Sequence, residues 1–216
     1  MTTEQTPTRR PYTGSCHCGA TKFVAYLTLP HAPPSLDEVM RRSQRFYRCN
    51  CTPCHKLGIF HVRLADAPAD FLMFSPVDAE ESLGVYLCNA KLLSFMFCKA
   101  CGGRCITFHG ESEVVDVDIA QLGLDDAGLK RLGLGGSEGT VKAWRPKKGR
   151  FMEGKEGLKE GEVYGYLSVN AYALDAGQGL DLAEWTEKKW VSYLDALDDQ
   201  GHQGDSYERP RLGGAY

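Results

Sequence analysis

CNCTPCHKLG, residues 49 to 58, places three cysteines within six residues, a spacing at which three thiolates can hold one metal ion. Two further cysteine pairs stand on either side of it, in GSCHCG at 14 to 19 and in FCKACG at 97 to 102. Structural zinc takes four protein ligands, whereas a reactive zinc keeps three and an exchangeable position. Seven clustered thiols divide naturally into four and three, so the sequence predicts two zinc ions per chain.

The spacing also predicts which cysteines belong together. Because C-x-C-x-x-C can bind an ion alone, Cys49, Cys51 and Cys54 form the predicted three-thiolate site. The two remaining pairs then meet in a four-thiolate site with the predicted ligands Cys16, Cys18, Cys98 and Cys101. Gly102 can take the left-handed conformation that closes a zinc knuckle. Iron–sulfur ligation is an alternative, but it requires four cysteines for each cluster.

The three-thiolate site predicts thiol chemistry. Such a site carries a net charge near −1, which makes zinc a weak Lewis acid for the activation of water. An incoming thiol, by contrast, loses its proton on coordination and is held beside an electrophile. A fourth protein ligand would close the site, and the candidates are His55, His61 and Cys105. We expect Cys88 and Cys105 to be buried, inert thiols.

Away from the cysteines, short β-branched and aromatic segments predict a mainly β, antiparallel fold. TKFVAYLTL at 21 to 29 and GEVYGYLSVNAYALD at 161 to 175 are examples. Ser35 as a cap, with acidic residues in the first turn and arginines in the last, predicts a short helix from Ser35 to Arg42. The apolar spacing of Trp190, Leu194 and Leu197 predicts a second helix from Leu182 to Leu197. The predicted organisation is a disordered segment over 1–12, a zinc-binding domain over 13–176, and a C-terminal helix with a polar tail over 177–216. A glycine-rich insertion at about 122–161 reads as a short helix and a long surface excursion.

The composition of the chain limits which binding partners and which cellular compartment we expect. The chain is 43 % hydrophobic and 25 % charged, with a formal net charge of −3, so it lacks the basic surplus of general nucleic-acid binders. No apolar run reaches the length of a spanning helix, and the first residues do not resemble a secretory signal. We expect an intracellular, cytoplasmic protein with reduced thiols and no membrane partner. Nothing in the sequence predicts an oligomeric state.

Together, GSCHCG, CNCTPCHKLG and FCKACG resemble the glutathione-dependent formaldehyde-activating enzyme family, which is related to centromere protein V-like zinc-binding proteins. GYLSVNAYALD resembles the closing strand of the same domain, so the resemblance spans residues 13 to 175. It implies a β-tent of small antiparallel sheets around the metal sites. It also implies a structural zinc on the four-cysteine group and a catalytic zinc on Cys49, Cys51 and Cys54. The chain departs from the family at Thr52-Pro53, in the longer 122–161 segment and in its C-terminal extension.

The implied activity is that of a carbon–sulfur lyase. Its reaction joins glutathione and formaldehyde reversibly as S-hydroxymethylglutathione, with a small-molecule thiol such as glutathione as the substrate. Candidate proton donors near the second cluster are His55, Lys56 and His61, whereas His17 is expected to be structural or exposed. Candidate partners for the glutathione carboxylates are Arg48, Lys56 and Arg104.

Two other functions compete with this one. The first is a non-catalytic, zinc-scaffolded binding module in which both zinc sites are structural. The second is nucleic-acid binding through the basic run from Trp144 to Arg150 with Phe151, which neighbouring glutamates offset. A partner-binding face of Trp185, Trp190 and Tyr193 is weaker still, because helical spacing favours packing onto the domain.

Overall fold

The computed structural model of the chain describes residues 6–34, 43–88, 91–148, 165–197 and 205–208. Within these ranges the chain forms thirteen strands and five short α-helices, so the predicted mainly β class is confirmed. The strands belong to two sheets whose pairs are antiparallel with one exception. No helix in these ranges is both long and apolar enough to cross a membrane. The predicted helix from Ser35 to Arg42 lies outside the described residues.

The smaller sheet has five strands in the spatial order β1-β2-β5-β10-β9. Its strands are β1 (Thr8–Ser15), β2 (Lys22–Leu29), β5 (Phe71–Ser75), β9 (Ser112–Asp118) and β10 (Thr140–Pro146). Strand β2 confirms the strand predicted from TKFVAYLTL. Because β1 pairs with β2 along its whole length, the disorder predicted for residues 1–12 is wrong from Thr8 onward. Pro11 is tolerated there because β1 is the edge strand of its sheet.

The larger sheet has eight strands in the order β13-β12-β3-β4-β11-β8-β7-β6. Its strands are β3 (Arg45–Cys49), β4 (Phe60–Arg63), β6 (Gly84–Leu87), β7 (Ser94–Phe97), β8 (Arg104–His109), β11 (Tyr166–Asn170), β12 (Val191–Leu194) and β13 (Asp205–Ser206). The exception to antiparallel pairing is β12, which runs parallel to β3. Cys49 ends β3, Cys98 directly follows β7 and Cys105 is the second residue of β8, so this sheet supports cysteines of both groups.

The C-terminal helix predicted over Leu182–Leu197 is wrong beyond its first half. Helix α5 (Leu182–Glu187) ends before Lys189, whose backbone has a φ of 56°, and the chain then forms strand β12. Trp185 is 1 % exposed and stacks on Phe46 of β3, as expected for a packing residue. The boundary predicted at residue 176 therefore does not separate the C-terminal segment from the sheet.

The glycine-rich segment from 122 to 161 is only partly as predicted. It contains the short helix α4 (Asp126–Leu132), which Asp125 caps by accepting a hydrogen bond from the Gly128 N–H. Thr140–Pro146, however, is strand β10 and pairs with β9 over seven residues. The interpretation of this part as a surface excursion is therefore wrong, and residues 149–161 lie outside the described part of the chain.

The other helices are the short α1 (Thr52–Leu57), α2 (Ala67–Asp70) and α3 (Ala79–Ser82).

The main core lies between the sheets and reaches the first cysteine group. Phe23, Phe71 and Trp144 of the small sheet join Phe46, Phe60 and Leu167 of the large sheet in one buried cluster, which also includes Cys16 and Cys98. Packing of both sheets therefore fixes the backbone around these two cysteines.

Candidate metal centres

The first cysteine group brings together the two predicted pairs, which are about eighty residues apart in sequence. The Sγ atoms of Cys16, Cys18, Cys98 and Cys101 all lie within 4.8 Å of one another. The distances from Cys18 Sγ to Cys16 Sγ and to Cys98 Sγ are both 3.6 Å. Sulfurs at about 2.3 Å from a tetrahedral zinc stand roughly 3.8 Å apart, so the group has the spacing of a four-thiolate site.

Tight turns at glycine shape this group. Gly102 has a φ of 72°, and its N–H donates to the Cys98 carbonyl over 2.8 Å, as the knuckle prediction requires. The Cys98 N–H donates in turn to the Gly103 carbonyl over 2.9 Å. A Cβ at Gly103 would stand 3.1 Å from Cys16 Cβ and 3.3 Å from Cys101 Sγ, so the turn packs directly on the other ligands. The backbone turn thus places the sulfurs of Cys98 and Cys101 beside Cys16.

Hydrogen bonds favour the thiolate form of Cys16 in the first group. Burial alone would raise the pKa of the Cys16 thiol, but hydrogen bonds from the Thr21 backbone and with Cys18 and Cys98 lower it to about 6. The Thr21 N–H lies 3.2 Å from Cys16 Sγ. This thiol therefore loses its proton readily, and the thiolate is the form that binds metal.

The second group is built at the junction of β3 and α1. Cys49 ends the strand, Cys51 is the N-cap of the helix, and Cys54 lies inside it, with their Sγ atoms within 4.8 Å of one another. The Cys51 N–H points at Cys49 Sγ over 3.4 Å. Pro53 suits the first turn of the helix because its missing N–H is not needed there. Three ligands therefore come from a single strand-to-helix turn.

The three thiols of the second group divide their protons unequally. Hydrogen bonds with Cys49 and then Cys54 lower the pKa of Cys51 to about 3. The bond with Cys51 raises the pKa of Cys49 to about 11, and the bonds with Cys49 and Cys51 raise the pKa of Cys54 above its usual range. Cys51 is also the most accessible of the three, because the other two are buried. The group can therefore present a thiolate on its open side.

His61 lies beside the second group. Its Nε2 atom is 3.2 Å from Cys54 Sγ, but His61 does not belong to the set of ligand atoms that lie within 4.8 Å of one another. Burial lowers the pKa of His61 to about 3, so the ring is neutral. Among the other candidates named from the sequence, His55 and Lys56 are exposed on α1. His17 is exposed as well.

The two leftover cysteines differ in their surroundings. Cys105 is 1 % exposed, as predicted, and burial followed by the charges of Cys16, Cys101 and Cys98 raises its pKa above the usual range. It therefore lies beside the first group, which removes it as a closing ligand for the second. Cys88 is only half-buried, contrary to the expectation of a buried thiol, and packs against the second group.

The two candidate arginines both lie on aromatic rings. Arg48 stands 4.8 Å above the Phe60 ring, and its Nη2 donates to the Tyr172 hydroxyl over 2.9 Å. Arg104 lies 5.3 Å from the Phe97 ring, and its buried Nη1 has no hydrogen-bond partner among the residues that the structure describes. Stacking leaves the edges of a guanidinium available for hydrogen bonds, so Arg48 can still meet an anion, whereas the Nη1 atom of Arg104 is shielded from solvent.

The basic run that starts at Trp144 is largely paired in its described part. Trp144 is 1 % exposed, and its Nε1 donates to Glu80 over 2.8 Å. Arg145 pairs with Glu113 over 2.8 Å, and Lys147 with Glu111 over 3.6 Å. Arg150 and Phe151 lie outside the described residues. A buried tryptophan cannot stack on a nucleic-acid base, so the burial of Trp144 weakens the case for nucleic-acid binding through this run.

Asn50 is a site residue that the sequence analysis missed. It is 1 % exposed, and its Nδ2 donates to Asp195 Oδ1 over 2.7 Å. Its Oδ1 accepts from the Ala196 N–H over 2.7 Å. The loop between Cys49 and Cys51 is thereby fastened to the segment after β12. The only signal in the sequence is the position of Asn50 between two ligands, which says nothing about a partner 145 residues away.

Comparisons with known proteins add little to this geometry. No protein-family model and no curated protein matches the chain. A crystal structure of a Rhodobacter sphaeroides protein, a structural-genomics target, is 21 % identical with a TM-score of 0.32. The match covers 44 % of this chain and 72 % of that one. A similarity of this size supports no argument about fold or function, so the function is argued from the two cysteine groups.

Proposed function

We propose that this chain is a zinc-dependent carbon–sulfur lyase that acts on glutathione–aldehyde adducts of the S-hydroxymethylglutathione type. One observation carries the proposal. Seven cysteines divide into one group of four and a separate group of three, each with its sulfurs within 4.8 Å of one another. Four thiolates complete a structural zinc site, whereas three leave a position for an exchangeable ligand. The resemblance of the three cysteine motifs to the formaldehyde-activating enzymes supports the same division of roles.

The donor sets support zinc as the metal. Every clustered ligand atom is a cysteine sulfur, and soft thiolates select zinc, copper(I) or iron–sulfur clusters. An iron–sulfur cluster would need a fourth cysteine in the second group. Of the two remaining cysteines, Cys105 lies by the first group and Cys88 is outside the set of close sulfurs. Zinc in both groups is therefore the assignment that fits the residues.

A zinc ion held by three thiolates supplies a position at which a thiol sheds its proton and becomes a nucleophile. Around it, Cys49 and Cys54 are buried among Tyr47, Ile59 and Phe95, and this apolar wall limits access to the Cys51 side. In the joining direction, the thiol sulfur bonds to the aldehyde carbon, and the carbonyl oxygen takes up a proton. In the cleaving direction, the same carbon–sulfur bond breaks and the hydroxyl proton is returned. Both directions need a proton carrier close to the Cys51 side.

The exposed side of α1 can contribute to substrate binding. His55 and Lys56 stand on it, immediately after Cys54, and are accessible to a bound adduct. We assign the proton transfer to His55 and the binding of a glutathione carboxylate to Lys56.

The test is the exchange of formaldehyde and glutathione with their adduct, measured by saturation-transfer NMR on zinc-loaded protein. We expect catalysed exchange that falls by roughly 100-fold or more in Cys51→Ala, because the metal loses a ligand. Cys88→Ala is the matched control. This cysteine packs against the same group without belonging to it, so we expect exchange within about 2-fold of the parent.

Two zinc ions with no catalysed exchange would contradict the lyase. That result would favour the non-catalytic, zinc-scaffolded binding module, which requires a fourth ligand at the second group. His61 is the nearest histidine to that group, yet its Nε2 contacts Cys54 alone among the three sulfurs. Its ring would have to leave a close stack on Tyr47 to reach the others.

A further inference from the structure

The histidine beside the second group is held from every side. His61 is 2 % exposed, and its ring lies parallel to that of Tyr47, with the centroids 4.5 Å apart. Its Nδ1 is 2.7 Å from Ser168 Oγ and 3.4 Å from the Tyr166 hydroxyl. The opposite nitrogen, Nε2, is the atom that lies 3.2 Å from Cys54 Sγ.

The position of the His61 ring distinguishes a metal ligand from a histidine that acts through a ligand. A metal ligand must approach all the other ligands of its ion to similar distances, and His61 contacts Cys54 but lies outside the set of ligand atoms that are within 4.8 Å of one another. A histidine that acts through a ligand needs one good contact to that ligand and a partner on its other nitrogen. His61 meets the second description.

We infer that His61 is a positioning residue of the second metal centre, which donates its Nε2–H to the Cys54 thiolate while Nδ1 accepts from the Ser168 hydroxyl. The inference rests on the proposed function, because it requires an ion on Cys49, Cys51 and Cys54. A hydroxyl has one proton and can give it to Nδ1, which leaves Nε2 as the protonated nitrogen of a neutral imidazole. The thiolate is the only acceptor that Nε2 contacts in the described residues.

Such a hydrogen bond changes the metal centre in two ways. It withdraws charge from one of three thiolates, so the site repels an incoming anionic thiol less. It also fixes the direction of Cys54 Sγ. The residues that hold His61 are also connected to a second ligand. Tyr47 lies on β3, the strand that ends at Cys49, and the Tyr47 hydroxyl hydrogen-bonds to that of Tyr166. One buried cluster of polar groups thus connects two of the three ligands.

The experiment compares His61→Phe with His61→Gln in protein loaded with cobalt(II). Phenylalanine keeps the ring on Tyr47 but donates no hydrogen bond, whereas the glutamine amide can still donate to Cys54. In His61→Phe we expect one of the two metals to be released to a chelator roughly 10 to 100 times faster. We also expect its sulfur-to-cobalt charge-transfer band to move to longer wavelength, because the sulfur lone pair rises in energy. His61→Gln should lie closer to the parent in both measurements.

Two further variants keep the test decisive. His31→Phe removes the second histidine that is buried in the described part of the chain. His31 is also packed on an aromatic ring, Phe46, but within that part it contacts no clustered cysteine, so the variant should leave both metals unchanged. Ser168→Ala removes the partner on Nδ1 and should shift the band in the same direction as His61→Phe, by less. This variant also covers the case in which His61→Phe does not fold.

The outcomes separate this inference from the proposed function. Unchanged metal release and an unchanged band in folded His61→Phe, together with a parent that binds two metals and responds to glutathione, would overturn the role of His61 alone. A coupling between cadmium-113 and a nitrogen-15 nucleus of His61 would show direct ligation and would also overturn it. A parent that binds no second metal would overturn both.

Discussion

At the scale of single residues, burial decides the charge of two histidines. His31 is 6 % exposed, its Nδ1 contacts Gln44 Nε2, and its Nε2 has no partner among the described residues. Burial lowers the pKa of His31 from 6.5 to about 4, and the same cause acts on His61. The unfolded chain therefore binds more protons than the folded chain in this pH window. The stability that comes from a neutral His31 is fully present above pH 6.5 and is lost as the pH falls towards 4.

The His31→Phe variant tests this linkage. From about pH 7 to about pH 5, we expect the free energy of unfolding of the parent to fall by about 2 kcal/mol more than that of the variant. Chemical denaturation of zinc-loaded samples measures it, and the contribution of the cysteines is common to both proteins and cancels. An equal pH dependence of the two proteins would contradict the lowered pKa, because it would show that His31 has the same pKa in the folded and unfolded states.

At the scale of elements, the parallel strand β12 explains how the second cysteine group is supported. Trp190, Leu194 and Leu197 have helical spacing, which is why a helix was predicted there, but the chain leaves the helix at Glu187. Strand β12 then pairs with β3 from Val191 to Leu194, a register that ends opposite Cys49. Backbone pairing with a distant strand overrode a local pattern. The polar contacts of Asn50 continue this pairing into the metal-binding loop.

Asn50→Asp tests the connection between the loop and β12. The substitution keeps the acceptor for the Ala196 N–H but turns the donor to Asp195 into a carboxylate oxygen that faces another one. We expect a loss of about 2 kcal/mol in the free energy of unfolding and faster release of one metal. The paired variant Asn50→Asp with Asp195→Asn restores one donor and one acceptor and should recover part of the loss. Additive effects in this double-mutant cycle would contradict the connection.

At the scale of the whole molecule, features that depend on local spacing could be predicted from the sequence, whereas contacts made by long-range strand pairing could not. The three-cysteine group, the left-handed Gly102 and the mainly β class were predictable because each depends on neighbours in sequence. The meeting of the two distant cysteine pairs was then predictable by elimination. The strand at Thr140–Pro146 was missed because glycines on either side of it are typical of loops, yet two strands in the small sheet accept it. His61 meets Ser168 through the pairing of β4 with β11, and Asn50 meets Asp195 beyond the pairing of β3 with β12. No local pattern marks such contacts.

This account rests on two separate metal centres, so the most direct measurement is the zinc content of the purified chain by elemental analysis. The same analysis is applied to Cys101→Ala and Cys51→Ala, one ligand from each group. We expect about two zinc ions per chain in the parent and about one in each variant, because the groups share no ligand. One zinc ion or fewer in the parent, or the loss of both from a single substitution, would contradict two independent centres.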